Sequence, residues 1–405
     1  MTDITTHSKR IDADDSAVGI QFSAGLSALG SSSAELRVAL TQTENTLSLR
    51  KDFILDQPVW VGAYQHPLNE LPSDDFKDVD SRNLRFALAA LAQIEEQIQH
   101  YVTQFDVKRL AIIIGTSTSG IAENEPVLQQ YFQGNEAIRI VQKKQEMGSL
   151  AKALQKRLGW QGIAYTISTA CSSSAKAFAA GQRLINAGLA DAVLVGGVDT
   201  LCRLTLNGFN SLESLSRSVC QPCGLNRDGI NIGEAAALFL LSKETAPVML
   251  MSAGESMDAW HISAPHPEGL GAAKAMRDAL NMAKIHASEI GYLNLHGTAT
   301  PQNDAMEIKA VRHTFQNFDV PLSSAKHKTG HCLGAAGAIE ALICTQVLQD
   351  QSWLPLHHHG ILDAELDDQN FVQEASLHHA INYVMSNSFA FGGSNISLIF
   401  GNKLK

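Results

Sequence analysis

Three short stretches carry side chains capable of covalent chemistry. Cys171 stands in Ser168-Thr169-Ala170-Cys171-Ser172-Ser173-Ser174, between the β-branched run Tyr165-Thr166-Ile167 and an alanine-rich segment. The run reads as the end of a buried strand, and Ala175 to Ala187, closed by Gly188, reads as a helix, which puts the thiol at a strand-to-helix turn. A helix N-terminus offers unpaired N–H groups and partial positive charge, favouring thiolate and supplying donors to an oxyanion beside the sulfur. The competing reading is a small buried side chain, one of six cysteines.

The second stretch is Asn294-Leu295-His296-Gly297-Thr298-Ala299-Thr300, followed by Pro301-Gln302-Asn303-Asp304 and Glu307. Gly297 lets backbone approach a ligand, Thr298 and Thr300 can donate hydrogen bonds, and Asn303 or Asp304 can cap the next helix. A hydrogen-bonded structural histidine fits the same pattern. The third stretch runs from Ser323 through Lys326-His327-Lys328-Thr329-Gly330-His331 to Gly334-Ala335-Ala336-Gly337, with Glu340 one turn further. Lys326 and Glu340 can form a buried ion pair; a glycine-bearing turn with lysines before a helix can also cradle an anion, although the spacing is not that of a P-loop. A fourth element, Asn387-Ser388-Phe389-Ala390-Phe391-Gly392-Gly393-Ser394-Asn395, is a glycine-bearing turn whose phenylalanines suit core plugs or a gate over a thiol.

Positioning these stretches requires an α/β framework, because apolar strand-like runs alternate with helical ones as in a mixed sheet covered on both faces. Strands are expected at 110–115, 192–196, 247–253, 292–295, 320–323, 381–385 and 396–400. Helices are expected at 84–102, 145–158, 272–285, 304–315 and 334–350, and Gln221 to Gly233 reads as a long loop.

Composition sets the outer bounds. A chain of 405 residues, 45% hydrophobic and 18% charged, needs two large lobes. Met1 to Ser16 is polar, without the apolar core of a signal sequence, no run reaches membrane-spanning length, and the scattered cysteines suit a reducing compartment, so a cytoplasmic location is expected. A net charge of −10 argues against general nucleic-acid binding. Arg139, Lys143, Lys144, Lys152, Lys156 and Arg157 form a local basic patch, either a solvated face or a landing site for an acidic partner.

In this order, the Thr-Ala-Cys turn at Cys171, His-Gly-Thr-Ala-Thr at His296, the Lys326 to His331 segment and Phe389 to Asn395 resemble the β-ketoacyl-acyl-carrier-protein synthases of the type I/II kind. Gly196-Gly197-Val198-Asp199, Gly208-Phe209, Leu215-Ser216 and Asn226-Arg227-Asp228-Gly229 extend the likeness over nearly the whole chain, weakest before Leu110. The resemblance implies a thiolase-like fold of duplicated halves in a five-layered αβαβα arrangement, here 16–245 and 246–404. It also implies a Cys171, His296, His331 and Lys326 catalytic set, with the N–H groups of Cys171 and Phe391 as oxyanion hole. Phe389, Phe391 and Thr118 would gate or line the acyl pocket, Thr298 and Thr300 would bind substrate, and Glu340, Asp304 and Glu307 would support the site, the last two capping a helix or touching a structural cation. No cofactor or metal is implied. The implied partners are an acyl-carrier protein, docking at Arg139, Lys143 and Lys144, and either a second copy or a chain-length-factor homologue.

Departures from the family pattern are Gly233-Glu234-Ala235-Ala236-Ala237, Pro222-Cys223-Gly224, Ala390 before the gating phenylalanine, and polar Thr118 at a pocket position. With Asp199-Thr200-Leu201-Cys202, these look similar to ketosynthases of bacterial polyene pathways such as aryl polyenes. Cys220 and Cys223 have the spacing of a zinc or redox pair without a second pair, and His357-His358-His359 reads as a solvent-exposed or loop tract. A cysteine-dependent acyl hydrolase and a non-catalytic scaffold are the rival readings; the scaffold would be expected to lack the nucleophile.

Overall fold

The computed structural model describes residues 16–402 except 136, 367 and 378. The polar N-terminal stretch, but for Ser16, and positions 403–404 lie outside them. Ten strands form one large sheet: β1 (Val18–Ser27), β2 (Leu110–Gly115), β3 (Ala164–Ile167), β4 (Ala192–Asp199), β5 (Ala235–Ser242), β6 (Val248–Met257), β7 (Ile290–Asn294), β8 (Leu322–Ser323), β9 (Tyr383–Phe389) and β10 (Ser394–Asn402). Their spatial order is β8-β7-β9-β10-β6-β1-β5-β4-β2-β3.

This order contains a repeat that the sequence does not show by inspection. In the first half β2 lies between β3 and β4 in parallel, and β5 runs antiparallel to both β4 and β1. In the second, β7 lies between β8 and β9 in parallel, and β10 runs antiparallel to both β9 and β6. Adding five to each strand number converts one half into the other. The halves meet where β1 pairs antiparallel with β6 through Val18↔Leu250, Gly19↔Met249 and Ile20↔Val248.

Helices complete the repeat: α1 (Arg82–Ala92), α2 (Ser149–Leu158), α3 (Ser173–Asn186), α4 (Leu270–Ala283), α5 (Pro301–Phe315) and α6 (Ala336–Asp350). α1 and α2 cover the outer face of the first half, and α4 with α5 that of the second, while α3 and α6 lie between the two halves. Three apolar clusters match these layers. The central one joins Phe178 of α3 and Ile339 of α6 to Phe239 and Phe400 of the sheet's two halves; the outer ones centre on Phe86 and Met276. The chain therefore has the thiolase-like five-layered arrangement.

The sequence fits these layers. β2, and β4 up to its terminal Asp199, are apolar and buried throughout, as strands covered on both faces must be. α6 is buried on almost every side, so it lacks a polar stripe. α3 packs through small residues: a Cβ added at Gly181 would sit 2.6 Å from Val195 Cγ1.

Three expectations change. The helix expected over 84–102 is two helices, Arg82–Ala92 and Glu95–Val102, because Ile94 leaves helical geometry while staying in the same outer core as Leu91 and Ile98. The helix expected from Gln145 starts at Ser149, after a separate single turn at Gln142–Gln145. Tyr165 to Ile167 belongs to an edge strand with Tyr165 exposed, not to a buried one, since β3 ends the sheet. Among the described residues no helix is long and apolar enough to cross a membrane.

Candidate active site

Three loops at the C-terminal ends of parallel strands β3, β7 and β8 supply the site, and Cys171, His296 and His331 each adjoin a residue with left-handed backbone. Ala170, with φ 52°, precedes Cys171. For a residue with a Cβ this conformation is strained and must be held by neighbours. Ser173 holds it, accepting from Thr169 N at 2.9 Å and donating to Ala170 O at 2.5 Å. The sulfur is thereby turned inward just before α3.

Gly297, with φ 40°, follows His296, and a Cβ there would lie 2.5 Å from Ser324 Cβ. Glu307 of α5 accepts the N–H groups of His296 and Gly297, each at 2.7 Å, and the side chain of Asn387 at 3.2 Å. Asp304 does not cap α5, which starts at Pro301 after Thr300 without a side-chain cap; it accepts from Cys223 N at 2.7 Å and Ala299 N at 3.2 Å. Gly330, with φ 67°, precedes His331, whose N–H donates to Asn231 O at 2.6 Å.

These turns converge. The Cys171 sulfur and one ring nitrogen from each of His296 and His331 lie within 4.8 Å of one another. His331 Nε2 is 3.0 Å from the sulfur, and the two imidazoles stand edge to face with centroids 5.4 Å apart. Lys326 is buried, ion-paired to Glu340, and donates to His296 O at 2.5 Å. Its neighbour Lys328 donates to Glu44 O, so the two lysines are spent on protein groups rather than on an anion cradle.

Burial dominates the electrostatics. It pushes both His296 and His331 well below the ordinary histidine value, and the Lys326 charge adds to the shift. Both rings are therefore neutral N–H donors at physiological pH. Burial pushes the Cys171 thiol up to about 11, against the opposing pull of Lys326 and of the N–H groups of Phe391 and Cys171. The helix terminus thus does not bring this thiol below its ordinary value, and the ring nitrogen beside the sulfur is His331 Nε2. Burial likewise raises Glu340 and Glu307 to about 7, opposed by Lys326 for the first and by the N–H groups of Gly297 and His296 for the second.

A cleft opens onto the sulfur, lined by His296, His331, Thr298, Thr300, Phe389 and Phe391 among others. The Thr298 and Thr300 hydroxyls are 3.0 Å apart. Phe389 is buried with its ring 6.2 Å from that of His296, whereas Phe391 is partly exposed and leans on Phe209. Its turn is tied to a loop across the cleft by Gly392 N to Ile262 O at 2.7 Å and Asp258 N to Gly393 O at 2.8 Å.

Two family models describe the chain: the N-terminal domain of β-ketoacyl synthases over residues 61–246 and the C-terminal domain over 248–359. The chain belongs to the β-ketoacyl synthase family. This synthase is 29% identical to 3-oxoacyl-[acyl-carrier-protein] synthase 2 of Staphylococcus aureus over 83% of its own length and 89% of that protein. It is 33% identical to the chloroplastic 3-oxoacyl-[acyl-carrier-protein] synthase II of Arabidopsis thaliana over 74% of its own length, and spans only 58% of that relative. Its fold matches a chain from the complex of ketosynthase ApeO with chain length factor ApeC of Xenorhabdus doucetiae, with TM-score 0.90, 42% identity, and coverage of 96% of this chain and 98% of that one.

Other residues fall elsewhere. Thr118 does not line the cleft; it is buried and its hydroxyl donates to Asp199 Oδ1 at 2.7 Å. In the synthase's basic patch Lys143 and Lys156 pair with Asp78 and Asp75, and none of Arg139, Lys143 or Lys144 borders the cleft. Cys220 and Cys223 are free and buried, and among the described residues the only cluster of three or more metal-type donors is the Cys171 site. His357-His358-His359 is a loop tract with His359 exposed, but His357 and His358 are buried and both donate to Pro222 O, at 2.8 and 2.7 Å. Asp199 and Asn387 were not singled out as site residues; a polar residue ending an all-apolar strand was the available signal for Asp199.

Proposed function

We propose that this synthase carries out decarboxylative condensation of a carrier-bound malonyl group with an acyl group held on Cys171. The observation that carries the reading is a sulfur and two neutral imidazoles within 4.8 Å, beneath an open cleft. In the first half-reaction the sulfur attacks the acyl thioester while His331 takes its proton. The carbon–sulfur bond to the carrier breaks, and the carrier thiol leaves with that proton. The tetrahedral oxyanion is held by the N–H groups of Cys171 and Phe391.

In the second, His331 shifts to the tautomer with its proton on Nε2, and His296 and His331 donate to the malonyl thioester oxygen. The bond to the carboxylate breaks, carbon dioxide leaves, and its electron pair becomes an enolate held by those two donors. The enolate carbon attacks the acyl carbon on Cys171, the acyl–sulfur bond breaks, and the thiolate takes a proton from solvent to restore the resting thiol. Neutral rings suit this step, since they offer hydrogen bonds without competing for the enolate's charge as acids. Lys326 holds the His296 turn and neutralises Glu340. A hydrolase would need only one imidazole to activate water, whereas a second imidazole beside the first suits holding a malonyl thioester oxygen.

Within the family we favour the polyene branch, with a chain-length-factor homologue as partner and a cytoplasmic location. The 42% identity to a chain of the ApeO–ApeC complex supports the branch, and six free cysteines suit a reducing compartment. The open edge at β3 and the exposed apolar side chains Leu128, Tyr131, Phe132, Ile140 and Val141 suit a surface covered by another subunit. Intact-protein mass spectrometry after incubation with acyl-carrier protein tests the reaction. One acyl mass on the native protein, absent from Cys171→Ala, is expected; equal loading of the variant overturns the assignment.

A further inference from the structure

Asp199 ends β4 with its carboxylate wholly buried, does not touch the sulfur or either imidazole, and is used by no step above. Five donors surround it. Oδ1 accepts from Thr116 Oγ1 at 2.8 Å, Ser117 N at 2.9 Å, Thr118 N at 2.8 Å and Thr118 Oγ1 at 2.7 Å. Oδ2 accepts from Ser117 N at 3.0 Å and Ala335 N at 3.2 Å.

The donors come from two segments that meet the catalytic turns. Ser117 Oγ reaches Ala170 O at 3.4 Å, the strained residue before Cys171. Ala335 closes the short turn that follows His331 and leads into α6. The surrounding backbone is packed too closely for other arrangements. A Cβ on Gly334 would meet Asp199 Oδ2 and Ser117 Oγ at 2.7 Å, one on Gly197 would meet Ser174 Cβ at 2.4 Å, and one on Gly115 would meet Ser174 N at 2.3 Å. Ser174 in turn accepts Ala338 N at 2.9 Å, so the same junction binds α3 to α6.

We propose that Asp199 is a positioning residue for condensation: its carboxylate anchors both the Thr116–Ser119 loop behind Cys171 and the turn behind His331, and so sets the sulfur–imidazole spacing. The inference rests on the synthase reading above. Its chemistry demands an acceptor on both oxygens. Asp199→Asn can keep an oxygen toward the four donors on Oδ1, but then places an amide N–H against the N–H groups of Ser117 and Ala335. The substitution thus cuts the link to the His331 side selectively.

The test compares native protein and Asp199→Asn, each normalised to the number of Cys171 sites that accept an acyl group, so that misfolded molecules are not counted. Release of carbon dioxide from malonyl-carrier protein per loaded site is expected to fall at least tenfold, with KM for that substrate within twofold of native. Native-like release per loaded site overturns the proposal. If Asp199→Asn does not fold, Ser117→Ala decides: it keeps the carboxylate and removes the hydroxyl at Ala170 O, so a kcat per loaded site within twofold of native overturns the proposal and a larger loss supports it. Failure of the native protein itself to load Cys171 would instead overturn the synthase reading.

Discussion

Replacing Lys326 by Met isolates the buried ion pair. Lys326 and Glu340 are almost completely enclosed, and the carboxyl is raised to about 7 even with its partner present. Removing the cation leaves a buried carboxyl that folds only in its protonated form, a loss of about 3 kcal/mol or more at pH 7. The carboxyl has an ordinary value of 4.5 in the unfolded chain, so it binds a proton on folding, and the stability it carries is present at low pH and lost as pH rises. In the native protein the carboxyl is half protonated near pH 7, and only about 0.4 kcal/mol of that loss remains above it. In Lys326→Met it continues upward at about 1.4 kcal/mol per pH unit. The gap between the two proteins should therefore widen by about 2.3 kcal/mol between pH 7 and pH 9. Urea unfolding followed by circular dichroism at pH 7, 8 and 9 measures it, and Lys326→Met/Glu340→Gln should abolish the widening. Parallel stability curves for native and Lys326→Met would refute the reasoning.

Alkylation of Cys171 by iodoacetamide should accelerate about tenfold per pH unit from pH 7 to 9, because burial holds the thiol near 11 and only the thiolate reacts. A plateau at neutral pH would mean a standing thiolate. Glu307→Gln leaves one of the two N–H groups at His296 and Gly297 facing a donor, so carbon dioxide release should fall by about tenfold while acyl loading persists. Equal losses in both steps, measured by single-turnover mass spectrometry, would contradict a role confined to the His296 turn.

The turns at Cys171, His296 and His331 were legible because reactive residues sat between apolar runs, with Gly297 and Gly330 beside the two histidines, and local pattern is enough to place a loop after a strand. Side-chain direction was not. Thr118 occupies a pocket position by family pattern, yet its hydroxyl is taken by Asp199 on another strand, a pairing that exists only after β2 and β4 align. His357 and His358 look like a solvated tract until Pro222 presents one carbonyl to both. The raised Cys171 thiol was missed for a related reason: a helix terminus can be read locally, whereas desolvation by the whole five-layered core cannot. The repeat of the two halves followed from the family resemblance and not from any likeness between the halves themselves, because matching strands need share only burial and direction, not residues.

The account stands most directly on carbon dioxide release from carrier-bound malonate labelled at its free carboxyl, measured for native protein, Cys171→Ala and His296→Ala. If the two imidazoles hold the malonyl oxygen, Cys171→Ala still releases labelled carbon dioxide although it forms no condensed product, while His296→Ala accepts the acyl group yet releases none. Release that vanishes with the sulfur and survives loss of His296 would contradict the division of labour on which the mechanism is built.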